Sequence, residues 1–282
     1  MSQYQTLASP FEIRGIGLHS GQEVRLTVHP DPRPGWHFVR LDLPGAPEIE
    51  ACLENVAKTQ HATVLQSGEA TVSTTEHLLA ALWALGVTHA RIELDGPEVP
   101  IVDGSALPFV TAIQAAGLQI VAGDRPRWTL NAPVWWEGGG ASVLGLPHDV
   151  FRLSVAVNFD HLHAGAQSTD VIVNGADFAR ELAAARTFTL DHWLEPLRAA
   201  GLIKGGSLDN AVVVSESGLS SAPRFENEMA RHKALDVVGD LALLFGKDGG
   251  EFCGHIIAIR AGHGPHRSWM EICRNSGALL RF

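Results

Sequence analysis

Between positions 225 and 245 apolar and ionisable residues recur with a helical period. At about 100° per residue, His232, Asp236, Asp240 and Lys233 share one arc, while Val237, Leu244, Leu241, Ala234, Phe245 and Val238 fill another from roughly 140° to 240°. This predicts a helix over 225–245 that packs its apolar arc on a core and turns its His/Asp stripe, on the flank, toward a cleft. A second helix is predicted over 73–86, where Ser73 and Glu76 have capping-box spacing and Gly86 follows the apolar run.

The remaining patterns read as strands with interleaved helices. Residues 11–18 and 23–29 flank a Gly-rich turn and predict a hairpin; 31–35 and 43–47 are Pro/Gly loops; 87–94 alternates partly and predicts a strand. Asp103-Gly104-Ser105 precedes a helix to about 116, with Pro108 in its first turn and Gly117 after it. Positions 123–126 are short, polar and aperiodic, and form the best boundary. Beyond it, 128–136 and 142–146 flank the Gly138–Gly140 turn as a second hairpin, and 152–159 continues a sheet. Helices follow at 176–186 and 191–200, then a strand at 211–214, the long helix, and a strand at 253–260. Both halves mix antiparallel strands with a pair of helices, which predicts an α+β protein of two domains, 1–122 and 127–282, rather than a doubly wound sheet. Neither half visibly repeats the other in sequence.

Composition narrows the classes. A chain of 282 residues, 45% hydrophobic, can bury a large core. Its formal net charge of −10 and lack of a Lys/Arg cluster exclude a nucleic-acid partner. No apolar run approaches the roughly 20 residues of a membrane span, and no basic-then-apolar leader opens the chain. The expectation is a cytoplasmic protein with no transmembrane segment, touching a membrane surface at most transiently. Cys52, Cys253 and Cys273 are too far apart for a metal knuckle or a disulfide scaffold and are expected to be reduced and packed. With 14 histidines present, only position within a motif singles one out.

His232 and Asp236, one turn apart, can hold a divalent metal together. Zinc suits an imidazole nitrogen and a carboxylate oxygen, and a catalytic site usually takes three protein ligands. Alone, the two would be an ordinary helical pair; a third ligand must come from elsewhere. His77 is that candidate. Glu76 beside it diverges by about 100° and could act as a base on a water at the metal, or simply cap its helix. No His-Glu-x-x-His run is present, which counts against a zinc protease.

Six ordered segments, Thr75-Glu76-His77, Val102-Asp103-Gly104-Ser105, Ala185-Arg186-Thr187-Phe188, Gly205-Gly206-Ser207, Arg231-His232-Lys233-Ala234-Leu235-Asp236 with Gly239-Asp240, and Gly262-His263, together with the opening Gly15 to Gly21, resemble UDP-3-O-acyl-N-acetylglucosamine deacetylase, the zinc amidase of lipid A synthesis. The resemblance covers about 15–263. Asn158 departs from the Asp that many members have before Phe159, and His266 stands where Asn usually follows the Gly-His pair; both bear on substrate preference.

The resemblance implies two domains, each a mainly antiparallel sheet with two packed helices, with the active site between them. It also implies Zn²⁺ on His77, His232 and Asp236, Glu76 as base, and His263 oriented by Asp240 as the cationic acid. Thr187 would donate to the oxyanion and Lys233 would contact the polar part of the substrate. Phe159 and Phe188 would wall the nucleoside and sugar, and Leu194, Leu197 and Leu202 would line an acyl passage. The implied partner is a UDP-linked acylated amino sugar, and the expected state is a monomer. A related amidase acting on another N-acetylated amphiphile, or a catalytically silent binding protein of the same fold, are the other readings; the intact Glu76/His77/His232/Asp236/His263 set argues against silence.

Overall fold

Two central strands organise the structure, a computed structural model that describes residues 3–282. The first half runs β1 (Gln3–Leu7), β2 (Phe11–Ile16), β3 (Glu23–His29), β4 (Gly35–Arg40), β5 (Glu48–Glu50), β6 (Val56–Lys58), β7 (Val64–Ser67), β8 (Ala70–Val72), α1 (Glu76–Ala84), β9 (His89–Leu94), α2 (Leu107–Ala116) and β10 (Leu118–Asp124). The second runs β11 (Arg127–Leu130), β12 (Val134–Gly138), β13 (Ala141–Leu146), β14 (Phe151–Asn158), β15 (Ala166–Ile172), α3 (Gly175–Glu181), β16 (Phe188–Leu190), α4 (Asp191–Ala199), β17 (Val212–Ser215), β18 (Gly218–Leu219), α5 (Glu228–Ala242), β19 (Glu251–Ile259), α6 (His263–Asn275) and β20 (Leu279–Arg281).

Each half contains a seven-stranded sheet. In the first, β9 pairs antiparallel with β3 and parallel with β4 and β1, while β2, β5 and β10 extend the sheet antiparallel to β3, β4 and β1. In the second, β19 pairs antiparallel with β13 and parallel with β14 and β11, while β12, β15 and β20 extend it in the same sense. The two connectivities are identical, a repeat that the sequence conceals. The sheets are therefore mixed, with antiparallel pairs in the majority, because each central strand follows a helix and returns beside strands of both directions.

The helices also correspond. α1 packs on α2 and α5 on α6, and the most extensive helix–helix contact among the described residues is α1 against α5, between the halves. Each half carries an insert of three short strands: β6–β7–β8 in the first, and β16–β17–β18 with α4 in the second. The α+β, two-domain arrangement expected from sequence is present.

Several local expectations change. α5 is shorter than 225–245 and is buried nearly all round; only Arg231 and Lys233 are partly exposed. It is enclosed by α1, α6 and strands β14 and β15, so its polar stripe faces other protein groups as well as a cleft. The capping box at 73–76 does not form. Thr75 is the N-cap and makes no side-chain cap bond, Ser73 donates to the Pro97 carbonyl, and Glu76 accepts from the Thr63 N–H. Helix 176–186 ends at Glu181, and after the strand predicted at 253–260 comes α6, which the patterns above do not include. All three cysteines are free and buried.

Candidate active site

One glycine sets the distance between α1 and α5. A Cβ on Gly239 would lie 2.0 Å from the Glu76 carbonyl oxygen, so a side chain there is incompatible with this crossing. The close approach brings the first turn of α1 against the middle of α5. His77 Nε2 lies 3.7 Å and His232 Nε2 3.6 Å from the same oxygen, Asp236 Oδ1.

These separations suit a shared ion. Two donors at Zn–N and Zn–O distances in a tetrahedron stand roughly 3.3–3.4 Å apart, and Asp236 Oδ1 is buried without any hydrogen-bond donor. The His232 Nδ1–H donates to the Ala185 carbonyl at 3.1 Å, which leaves the Nε2 lone pair facing Asp236. Burial pushes the His232 pKa down to about 4, against the pull of Asp236, so the ring is neutral and able to ligate. Lys233 Nζ donates to Asp236 Oδ2 at 2.9 Å. Burial opposes the charges of both, but their mutual attraction dominates: Lys233 is raised and Asp236 is held well below the usual carboxylate range. The donor set fits a divalent metal.

Glu76 sits beside this group. Its Oε2 accepts the Thr63 N–H at 3.1 Å, and its Oε1 lies 3.8 Å from His263 Nε2. Burial raises its pKa, opposed by His263 and His77. His263 is the first residue of α6, and its Nδ1–H donates to Asp240 Oδ2 at 2.7 Å. Burial disfavours the imidazolium, but Asp240 and then Glu76 outweigh it and lift the pKa to about 9. Asp240 is correspondingly held far below its ordinary value; burial opposes its charge, but His263 and His266 prevail.

A cavity of about 1150 Å³ opens from His232, Lys233 and His263. Phe159 and Phe188 line it with Thr187, and their rings meet edge to face at 5.3 Å. Leu194 and Leu197 of α4 line it further out; Leu202 does not, and Ile203 takes that place. The Leu202 N–H closes the turn after α4 onto the Leu197 carbonyl, which puts the next residue, in a left-handed conformation, on the cavity wall.

The remaining motifs hold this arrangement together. Arg186 binds Glu228, the first residue of α5, through its backbone N–H and its guanidinium, and so fixes neighbouring Thr187. The Thr187 N–H donates to the Gly104 carbonyl, while a Cβ on Gly104 would lie 2.2 Å from the Asn210 oxygen, so the Asp103-Gly104-Ser105 loop is pressed against the second half. Arg224 reaches Asp103 at 2.8 Å across the same contact.

The chain matches the family model of the UDP-3-O-acyl N-acetylglycosamine deacetylases (LpxC) over residues 4–272. It belongs to that family. Among similar deacetylase family members, the UDP-3-O-acyl-N-acetylglucosamine deacetylase of Trichormus variabilis is 44% identical over 269 residues, covering 93% of this chain and 94% of the relative. That of Syntrophotalea carbinolica is 40% identical over 274 residues, covering 96% and 87%, and that of an Anaeromyxobacter species 42% identical over 262 residues, covering 92% and 84%.

Two residues of the site, Thr63 and Glu98, carry no sequence signal on their own, and the departure noted at His266 gives no hint of its contact. Thr63 bridges Glu76 and Asp240, its N–H to one and its hydroxyl, at 2.6 Å, to the other. Glu98, fully buried, accepts the His19 and Ser20 N–H groups and the Thr74 hydroxyl, tying the first hairpin to the start of α1. His266 joins Asp240. Their roles come from contacts distant in sequence, where periodicity is silent.

Proposed function

We propose that this family member hydrolyses the N-acetyl amide of a UDP-linked, 3-O-acylated glucosamine, releasing acetate in lipid A biosynthesis, with a divalent metal held by His77, His232 and Asp236. The observation that carries the reading is the opposition of a buried carboxylate, Glu76, and a carboxylate-held imidazole, His263, beside a three-ligand group at the end of an apolar cavity. A zinc ion, which suits this donor set, would be held by these three residues and would supply Lewis acidity toward the amide carbonyl and water.

Glu76 takes the proton of the attacking water, and its raised pKa makes it a stronger base than an exposed glutamate. His263 is cationic below about pH 9. It delivers its Nε2 proton to the nitrogen of the departing amine, while Asp240 keeps the ring oriented. Thr187 donates its hydroxyl to the developing oxyanion. Lys233 holds Asp236 in place and faces the polar part of the sugar. Phe159 and Phe188 wall the nucleoside and sugar, and Leu194, Leu197 and Ile203 receive the acyl chain.

The test is acetate release from the acylated UDP-sugar by purified protein, with and without a chelator, alongside metal analysis of folded His232→Ala and Asp236→Ala. Release that stops on chelation and returns with zinc is expected, with metal content lost in both variants. Full metal and activity in both variants would overturn the ligand assignment; absence of acetate would overturn the reaction.

A further inference from the structure

Asp240 holds more than the imidazole that the proposed reaction uses. Its Oδ2 lies 2.7 Å from His263 Nδ1 and 2.7 Å from His266 Nδ1, and its Oδ1 accepts the Thr63 hydroxyl at 2.6 Å. The two imidazoles sit one turn apart on α6 and face the same oxygen of α5. Distances of 2.7 Å are direct hydrogen bonds, too short for an ion to stand between the atoms, unlike those around Asp236.

An ionised carboxylate only accepts, so each ring must carry its proton on Nδ1. The far sides of the rings differ. His263 Nε2 faces Glu76 Oε1 and lines the cavity, so a second proton there has a counter-charge and an exit. His266 is fully buried, and its Nε2 has no hydrogen-bond partner. A proton there would be a buried donor with no partner, which is unfavourable. His266 is thereby fixed as a neutral Nδ1–H donor.

We infer that His266 is a positioning residue: by donating to the Asp240 oxygen that also holds His263, it makes the three side chains one proton-sharing unit and loosens the grip of Asp240 on the proton that His263 delivers. A neutral donor draws on the charge of Oδ2 without adding positive charge, so His263 gives up its proton more readily than with Asp240 to itself. The other ionisable groups facing the pair are Asp236 on α5, Glu76 on α1 and His19 in the first hairpin. On the far side of α6, β13 has none and β12 only the exposed Glu137. Glu54, in the short turn at Leu53–Asn55, binds Lys247 and Arg274, near the other end of the helix.

This inference rests on the proposed reaction for its consequence but not for its test. Ring-nitrogen NMR of metal-free and zinc-loaded protein, titrated through pH 5–11, reads the protonation of both histidines without substrate. Both rings should carry Nδ1–H in the unaltered chain, with His263 gaining and losing its second proton on Nε2. In His266→Phe, which keeps a ring but removes the donor on Oδ2, the His263 midpoint should rise by about 0.5–1 pH unit, and the alkaline limb of kcat/KM with it. Thr63→Val, which removes the donor on Oδ1, should shift it in the same direction and serves should His266→Phe fail to fold. A His263 midpoint unmoved or lowered in the folded variants would overturn the inference. Shifted titrations in a chain that releases no acetate would overturn the deacetylase reading alone.

Discussion

Glu76 and His77 are adjacent residues with separate tasks, and Glu76→Gln separates them. The amide keeps the acceptor for the Thr63 N–H but cannot take a proton, so turnover should fall on the order of 10²- to 10⁴-fold while metal content and substrate affinity persist. Wild-type turnover in the variant would send the search for the base elsewhere. The pH profile belongs to the same pair. His263, raised to about 9, is charged at neutral pH and loses its proton as pH rises through that value, so kcat/KM should fall there. On the acid side it should fall as Glu76, raised by burial, protonates above the ordinary glutamate range. His263→Gln should abolish the alkaline limb. At this scale much was legible: ligand, base and acid candidates stood in motifs. Thr63 and Glu98 did not, since a threonine or a glutamate acquires such a role only by meeting a partner distant in sequence.

Among the elements, α5 shows what periodicity can and cannot tell. The apolar arc was readable, but burial on the polar side was not, because His232 and Asp240 are satisfied by groups from other elements and Asp236 faces His77 of α1. The α1–α5 crossing depends on Gly239, whose helical position gives no hint of it. Gly239→Val forces a side chain into the Glu76 backbone, so we expect a loss of about 1–3 kcal/mol in urea unfolding, with metal content reduced; unchanged stability and metal would mean that the helices can part freely. α4 is a different kind of element. Its proline and its exposed face bury little, and it serves by lining the cavity. Leu197→Asp should weaken use of the 3-O-acylated substrate far more than of its deacylated counterpart, each buried methylene contributing up to about 0.8 kcal/mol. Equal rates on the two substrates in the unaltered protein would eliminate the acyl passage.

For the whole molecule, the two-part α+β architecture was legible and its duplication was not, since shared strand order needs no shared side chains. In both sheets the corresponding strands pair in the same way, and α1 and α5 occupy corresponding places as they meet. Two identical halves joined helix to helix about a twofold axis would be bound to place each residue twice, once on either side. Such a dimer could set His against His or Glu against Glu. It could not set a single base against a single acid. Carrying both halves on one chain removes that obligation: α1 is free to keep Glu76 and His77, α5 to keep His232, Asp236 and Asp240, and chemistry that needs a direction can occupy what would otherwise be an axis of symmetry.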